Sequence, residues 1–484
     1  MVDSSSDVDH TEIVCHSWAE IEASGNWYDR RYVSWIPPFS HSTVQIVLMS
    51  FVIFLTPGCF NAITGIGNSG ISDPTVADNA NVALYSTFAT VGAIGGVVCN
   101  TIGVRACLVF GGTGYIMYTL SLLVYHYKEN AGFCIFAGAY LGVSASFTWA
   151  AQGSIIMSYA LENKKAHAIM IFWVIFNFGA VIGSIIPLVQ NLESGESNVN
   201  AGTYVAFLVL MGCGVLLACF LLPMDKVYKP DGSKVIAKKH PRLRDEIRGM
   251  IKVLVHEPKI YFMFPMFCAL NFFYTYQFNE FNAVRFNVRT RSLNSLLYWF
   301  SQMVGAIVLG LMMDSPRFSR PTRARIGYAV LTVTSLAIWG GGLKFQIGVT
   351  RETDVVLIDF KDGLYIGPMF LYMFYGAYDA VFQSFIFWVL GTFSNNPKKV
   401  ALYASFYKSL QSAFSAIAWR LDAIGVPYMS MFAASWGLVQ GSLLIAAPLV
   451  LFMITETTDP DKDGIDEIME ASELRSVTSH PQKV

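Results

Sequence analysis

Charged side chains are scarce in this sequence of 484 residues: they make up 14% of it, whereas hydrophobic residues make up 54%. Soluble globular domains carry about 25% charged residues, so the surplus apolar surface requires lipid as its solvent. The 33 basic and 34 acidic residues nearly balance, which argues against a basic nucleic-acid-binding protein. We therefore expect the lipid bilayer as a partner, and no nucleic acid.

Motifs of enzyme, pump and channel chemistry are also missing. The sequence contains no G-x-x-x-x-G-K-[ST] phosphate loop, no G-x-S-x-G nucleophile elbow and no T-V-G-Y-G filter. The eight histidines are dispersed, and most cysteines lie in apolar runs, where cysteine behaves as a small hydrophobic residue. We therefore predict no enzyme and no cofactor.

One metal-binding string occurs in the C-terminal tail. The pattern D-x-[DN]-x-[DN]-G-x5-E of a calcium loop places the candidate ligands at Asp459, Asp461, Asp463 and Glu470. However, Asp466 replaces the apolar residue of the loop, and no second loop is present to pair with it. A solvated acidic tail is therefore the favoured interpretation, and we predict no metal.

Apolar runs of about 20 residues, long enough to cross a bilayer, occur twelve times. They predict spans at 43–66, 79–102, 106–126, 131–158, 167–190, 202–223, 260–281, 293–313, 324–343, 363–391, 400–423 and 428–454. Residues 1–42 contain no apolar stretch typical of a cleavable signal peptide, so the first span is expected to act as the insertion signal. The predicted fold class is an all-α polytopic membrane protein.

The basic residues predict how these spans are oriented. Of the 33, 24 lie in the tails and in the loops on the side of the termini, and seven lie on the opposite side. Since cytoplasmic loops are enriched in Lys and Arg, both termini are predicted to be cytoplasmic. Arg285, Arg289 and Arg291, on the predicted outer side, are an exception to this trend.

A polar segment in the middle of the chain divides the spans into two sets of six. The predicted organisation is an acidic N-terminal tail (1–42), a six-helix bundle (43–223), a basic cytoplasmic linker (224–259), a second six-helix bundle (260–454) and an acidic C-terminal tail (455–484). The linker carries ten basic and five acidic residues. These could bind anionic lipid headgroups, but a topology-enforcing linker is the simpler interpretation.

The two sets of spans share a turn motif. Its residues are Gly96, Asn100, Gly103 and Arg105 after the second predicted span, and Gly310 and Asp314 after the eighth. Both copies resemble the G-x-x-x-D-x-x-G-R-[KR] signature of the major facilitator superfamily, in which glycine lets helices approach and the acid caps the turn. Asn100 stands where an acid is usual. The repeat predicts two parallel six-helix halves.

Ionisable side chains at mid-bilayer cost roughly 3 kcal/mol, so each requires an explanation. Asp379 lies in the tenth predicted span and Lys408 in the eleventh, within reach of a stretched lysine stem. The pair is interpreted either as a proton or substrate site in a polar cavity, or as an ion pair that locks two helices. Glu280 is either part of the same pathway or an interfacial partner of Arg285. The polar or aromatic candidates that complete the site are Gln383, Gln411, Gln277, Asn61, Trp149, Gln152 and Asn177.

Several of these residues lie in strings that resemble one family. Residues 144–160, 171–188, 274–282, 375–383 and 407–411 are similar to the uncoordinated-93 family, a branch of the major facilitator superfamily, in its fungal-type version. The resemblance covers most of 43–454 and implies a twelve-helix major-facilitator fold. The functional residues that it carries over are Trp149, Gln152, Asn177, Asp379, Lys408 and Gln411.

Two functions follow as hypotheses. The first is a secondary transporter of a small molecule, whose halves rock about a midplane site and in which Asp379 and Lys408 couple proton movement to substrate binding. The second is a regulator or trafficking escort of another membrane protein such as a channel. The family resemblance implies a transporter-like fold, which favours the first hypothesis, whereas the better-known animal members are associated with potassium-channel regulation and receptor escort, which favours the second.

Overall fold

Helices dominate the computed structural model, which describes residues 17–161, 165–190, 199–235, 248, 258–313, 315, 317–353, 355–393 and 397–456. A short helix, Trp18–Ala23, precedes the bundle. The first six long helices are α1 (Ser42–Gly65), α2 (Pro74–Ile102), α3 (Val104–Lys128), α4 (Ala131–Tyr159), α5 (Lys165–Gln190) and α6 (Ala201–Ala218). The next six are α7 (258–283, interrupted), α8 (Val288–Met313), α9 (Arg320–Gln346), α10 (Ile366–Phe393), α11 (Pro397–Ala423) and α12 (Tyr428–Met453).

Nine of the described helices are long and apolar enough to cross a membrane. The nine leave out α2, α7 and α11, which the sequence predicts as spans. Polarity or shape accounts for two of them: α11 carries Lys408 and Arg420, and α7 is broken into short pieces. In α2, residues 82–99 include no charged side chain, so this helix keeps the apolar length of a span. Because α2 packs against α11, Asp78 and Asn81 are buried in protein instead of facing lipid.

The helices α1 and α7 are both irregular in the middle of the bundle. In α1, Pro57 lies within a π-helical turn, Phe54–Gly58, because proline has no N–H for the regular helical hydrogen bond. In α7, Asn271 adopts a left-handed conformation with φ of 61° and ends one helical piece before the next begins. The sequence predicts α7 as one span, and the left-handed tolerance of asparagine explains the break.

Buried apolar residues form three clusters. Two are built almost entirely from residues 46–235 and the third almost entirely from residues 260–454. Between these groups, α2 packs against α11 and α5 packs against α8. The boundary itself stays a prediction, because most of the predicted linker lies outside the described residues.

The two ends of the bundle differ in their contacts. We call the end near residues 17–41 and 454–456 the terminal end, and the opposite one the far end. At the terminal end, Arg105 in the first turn of α3 donates to the carbonyl oxygen of Leu221 just after α6. Arg325 in the first turns of α9 donates to the carbonyl oxygen of Leu451 in α12 at 3.0 and 3.1 Å. These contacts join α3 to the residues after α6 and α9 to the last turn of α12, and a cation is favourable beside the carbonyls that end a helix.

Candidate functional site

A cavity of about 100 Å³ lies between the two groups of helices, beside the irregular turns of α1 and α7. Pro57 and Asn271, which mark those two irregularities, both line it. The other lining residues are Phe60, Asn61, Leu84, Tyr85, Phe88, Tyr115, Leu141, Ala145, Trp149, Trp173, Phe176, Tyr274, Trp299, Gln302, Gln383, Lys408, Gln411 and Ser412. The walls therefore combine aromatic rings with several polar side chains.

Lys408 supplies positive charge to this cavity. Its Nζ donates to Oε1 of Gln411 at 3.0 Å and lies 5.5 Å from the ring centroid of Trp149, which belongs to α4. The rings of Tyr407 and Phe387 lie 5.0 and 5.9 Å from the same nitrogen. Aromatic faces attract a cation without neutralising it, so the ammonium group keeps donors for a bound molecule.

Asp379 is buried beside the cavity and has three donors. The hydroxyl of Tyr274 and Nε2 of Gln302 each donate to Oδ2 at 2.6 Å, and Nε2 of Gln383 donates to Oδ1 at 3.0 Å. Among the described ion pairs, none joins Asp379 to Lys408. The two charges thus share one region of the bundle without the direct pair that the sequence suggests.

Three buried polar atoms on cavity-lining residues have no hydrogen-bond partner within the described part of the chain. They are Oδ1 of Asn271, Nε1 of Trp299 and Nε2 of Gln411. Leaving a buried donor or acceptor unpaired costs about 1–3 kcal/mol. Two of the three are donors, and together with Lys408 they favour a ligand that accepts hydrogen bonds.

The cavity brings together five of the residues selected from the sequence: Asn61, Trp149, Gln383, Lys408 and Gln411. The remaining candidates lie elsewhere. Gln277 accepts a hydrogen bond from Tyr298 at 2.8 Å, Asn177 is buried within α5, and Gln152 is half-buried in α4. Glu280 lies at the far end.

Sequence reasoning missed Tyr274 and Gln302 as ligands of Asp379. For Gln302, the spacing contains a usable signal: it lies three residues after Trp299 and therefore on the same face of α8. Tyr274 carries no such signal, because only the break at Asn271 orients this part of α7 toward α10.

A second polar contact, the far-end contact, joins the two groups of helices at the far end. We define it as the last residue of α1 (Gly65), the turn that follows (Gly67 and Asn68) and Asp78, all packed against residues 278–282 and Asp422. Nδ2 of Asn279 donates to Asp78 at 2.8 Å and to Asp422 at 2.9 Å, while Oδ1 of Asn279 accepts from the backbone N–H of Asn68 at 2.9 Å. One asparagine thereby joins α2, α7 and α11.

Arg351, from the loop between α9 and α10, completes this contact. Its guanidinium lies 2.5 Å from Oδ1 of Asp422 and 3.7 Å from Oε1 of Glu280. The sequence suggests Arg285 as the partner of Glu280; instead, Arg285 lies over the Phe345 ring at 4.3 Å. The choice of Arg351 depends on loop folding, which residue spacing does not reveal.

That loop is anchored by Asp359. Its carboxylate accepts from Asn287 at 2.5 Å and from Nε of Arg289 at 2.6 Å. Arg289 therefore has an acidic partner, which helps to explain why this basic residue lies at the far end. Burial of Asp359 opposes its ionisation, but donation from the Lys361 backbone, Asn287 and Arg289 lowers the pKa of this carboxyl from its ordinary value of 3.8.

We expect Asp359→Asn to loosen the α9–α10 loop by about 1–2 kcal/mol, because a charge-assisted anchor becomes a neutral one. Faster amide hydrogen exchange in residues 355–362 at pH 7 would report it. Glu352→Gln, at an exposed position of the same loop, is the control and should leave exchange unchanged. Since the Asp359 pKa is lowered on folding, this stabilisation is present at neutral pH and is lost as the pH falls below 3.8. Equal exchange in both variants would contradict the anchor.

The predicted turn motif is described only in part. Gly103 separates α2 from α3 with φ of 86°, a conformation that favours glycine. At Gly310, by contrast, no described atom lies within 4 Å of where an alanine Cβ would be, so this glycine does not mediate close helix packing. Gly96 is half-buried in α2, the side chain of Asn100 is not described, and Asp314 lies outside the described residues, as do Asp459, Asp461, Asp463 and Glu470.

Comparisons with known proteins place this chain among relatives of similar length. A family profile described as "Ion channel regulatory protein UNC-93" matches residues 79–424. An UNC93-like protein of Schizosaccharomyces pombe is 46% identical, over 95% of this chain and 94% of its own length. UNC93-like protein 1 of Arabidopsis thaliana is 39% identical, over 88% of this chain and 93% of its own. The solved structure of the major facilitator superfamily proton:xylose symporter XylE is similar with a TM-score of 0.57 and 11% identity, covering 87% of this chain and 96% of that one.

Proposed function

The chain belongs to the UNC-93 family and has the fold of the major facilitator superfamily, and from this premise we propose that it is a secondary transporter of a small polar molecule. The observation that carries the proposal is the cavity between the two groups of helices, which has Lys408 on one wall and unpaired donors beside it. Breaks in corresponding helices of two halves, here α1 and α7, are typical of the substrate sites of secondary transporters.

The chemistry of the cavity favours a substrate with a carboxylate or another strong acceptor. Lys408 can donate to it, and so can Nε2 of Gln411 and Nε1 of Trp299. Trp149 and Asn61 would contact its apolar and polar parts from the other side. Asp379 has its acceptors occupied by Tyr274, Gln302 and Gln383, and its proposed role is to orient those side chains.

The closed far-end contact and the distribution of basic residues together suggest a direction of access. If both termini are cytoplasmic, as the positive-inside rule predicts, the far end faces away from the cytoplasm. The described state is then closed on that side. Alternating access would require the far-end contact to separate while the terminal ends of the helices approach each other.

A second candidate is a regulator of another membrane protein, and the description of the matching family supports it. Apolar side chains cover the outside of the bundle; examples are Val209, Leu216, Leu311, Val333 and Leu444. Either lipid or a partner helix could cover such a surface. The two candidate functions differ in their dependence on Lys408: transport requires this side chain, whereas binding to another membrane protein does not.

Flux measurements on the purified chain in liposomes test the proposal. With a panel of small carboxylates and neutral polar molecules, we expect wild-type flux of at least one carboxylate. Lys408→Met should weaken it about 10–100-fold, because one charge-assisted hydrogen bond contributes about 1.5–3 kcal/mol. Lys344→Met, on α9 and away from the cavity, is the control and should retain flux.

No flux for any member of the panel, with a stoichiometric membrane partner co-purifying equally well with wild type and Lys408→Met, would overturn transport and favour the regulator. Equal flux in Lys408→Met and wild type would remove Lys408 from the site.

A further inference from the structure

The far-end contact contains three acidic side chains from both groups of helices. Asp78 comes from α2, Glu280 from α7 and Asp422 from α11, and all three are buried. Among the described residues, Arg351 is the cation that pairs with them. Three ionised carboxylates would leave this contact with an excess of negative charge, which is costly in a buried place.

Glu280 differs from the other two acids in its hydrogen bonding. Asp78 and Asp422 accept from Asn279, and Asp422 also accepts from Arg351. By contrast, neither carboxyl oxygen of Glu280 has a hydrogen-bond partner among the described residues, although its side chain is 1% exposed. A buried carboxylate without donors takes up a proton more readily than it remains charged.

The other titratable groups around Glu280 do not compensate for its charge. From α12, the ring of Tyr428 lies 4.5 Å from the Arg351 guanidinium. From α7 and the residues following it, Tyr276 and Arg285 both donate to Gln346, at 3.0 and 3.4 Å. From α11, Arg420 donates to Asn79 at 3.1 Å on the exposed side. Within the described part of the chain, Arg351 is thus the one cation that lies within 4 Å of these carboxylates.

We propose that Glu280 is a proton-binding site, and that its proton holds the far-end contact closed. In the closed state the proton is bound to a carboxyl oxygen of Glu280. Its release to solvent leaves a carboxylate beside Asp422 and across the contact from Asp78, and repulsion between like charges then favours separation of the halves. This inference goes beyond the proposed function, since the contact would respond to pH in a transporter or a regulator.

A distance measurement without substrate tests the proposal. Spin-labelled amino acids are genetically encoded at Tyr127 of α3 and Leu364 before α10, which are exposed positions on opposite halves at the far end. Pulsed electron paramagnetic resonance on the full chain in nanodiscs then follows the label distance between pH 5 and 9. In wild type, we expect a second, longer distance to grow as the pH rises. In Glu280→Gln, a neutral mimic, the short distance should persist at every pH.

Two further variants keep the test decisive. Asp78→Asn removes one repelling charge, so the longer distance should be less populated at high pH than in wild type; it replaces Glu280→Gln if that variant does not fold. Glu352→Gln, an exposed acid beside Arg351, should behave as wild type. A wild-type distance independent of pH, an unchanged transition in Glu280→Gln, or a transition that follows Na⁺ concentration instead of pH would each overturn the proposal.

Discussion

Gly67→Ala should destabilise the protein more than any other glycine substitution in its turns. Gly67 has φ of 85°, and an alanine Cβ there would meet the carbonyl oxygen of Phe278 and the Cβ of Ala283. The left-handed conformation costs about 1 kcal/mol for alanine, and the collision with backbone adds about 2 kcal/mol or more. Thermal unfolding in detergent would measure the loss.

Gly348→Ala is the matched control for this prediction. Its φ is also 85°, but no described atom lies within 4 Å of the new Cβ, so only the conformational cost applies. Because Gly67 contacts α7 across the far-end contact, Gly67→Ala should also increase the longer Tyr127 to Leu364 distance, even at pH 5. Equal melting temperatures for the two variants would show that the two sides of this contact are not tightly packed.

Asp379→Leu should cause the second large loss. It leaves the donors of Tyr274, Gln302 and Gln383 unpaired in a buried place, and each unpaired group costs about 1–3 kcal/mol. We expect a total of about 3 kcal/mol or more, since the donors act on one acceptor. Asp379→Asn keeps one acceptor oxygen and should lose less. Thermal unfolding of the two variants side by side measures the difference.

A double variant separates the acceptor role from mere packing. If Asp379 serves chiefly as an acceptor, the double variant Asp379→Leu with Gln302→Leu should lose less stability than the sum of the two single losses. The reason is that the second change removes a donor that the first change leaves unpaired. Additive losses would contradict that role.

The distance measurement at the far end tests whether Asp379 or Glu280 carries the proton. The label distance in Asp379→Asn should still depend on pH if Glu280 holds the proton. Loss of pH dependence there would instead favour the sequence-based prediction that Asp379 carries it.

The limits of the helices show which spans the pattern of apolar residues predicts correctly. Runs such as 131–158 and 428–454 predict helices that the structure has with similar limits, because lipid-facing helices need continuous apolar length. The pattern is weaker where helices face one another. The second predicted span starts at 79 and leaves out Asp78, because an acidic residue is typical of a loop. In the structure, α2 begins at Pro74, and Asp78 is buried against Asn279.

The candidate site was predictable for residues whose presence in an apolar span is itself costly. Lys408, Gln411 and Gln383 belong to this class, and all three line the cavity. Tyr274 and Arg351 do not, because tyrosine is common in membrane helices and Arg351 lies in a loop. Their roles arise only from long-range contacts, to Asp379 and to Glu280 with Asp422.

By itself, the sequence determined that this protein is an all-helical membrane protein of a recognisable family, because burial in lipid acts on each span separately and so marks each one locally. The tertiary structure alone decided which polar groups meet. It separated Lys408 from Asp379, gave Asp379 three donors, and placed Glu280 beside Arg351 with no hydrogen-bond donor among the described residues. The physical reason is that a hydrogen bond or ion pair requires two groups far apart in the chain to be positioned to within a few tenths of an ångström, and hydrophobic periodicity carries no information on such positions.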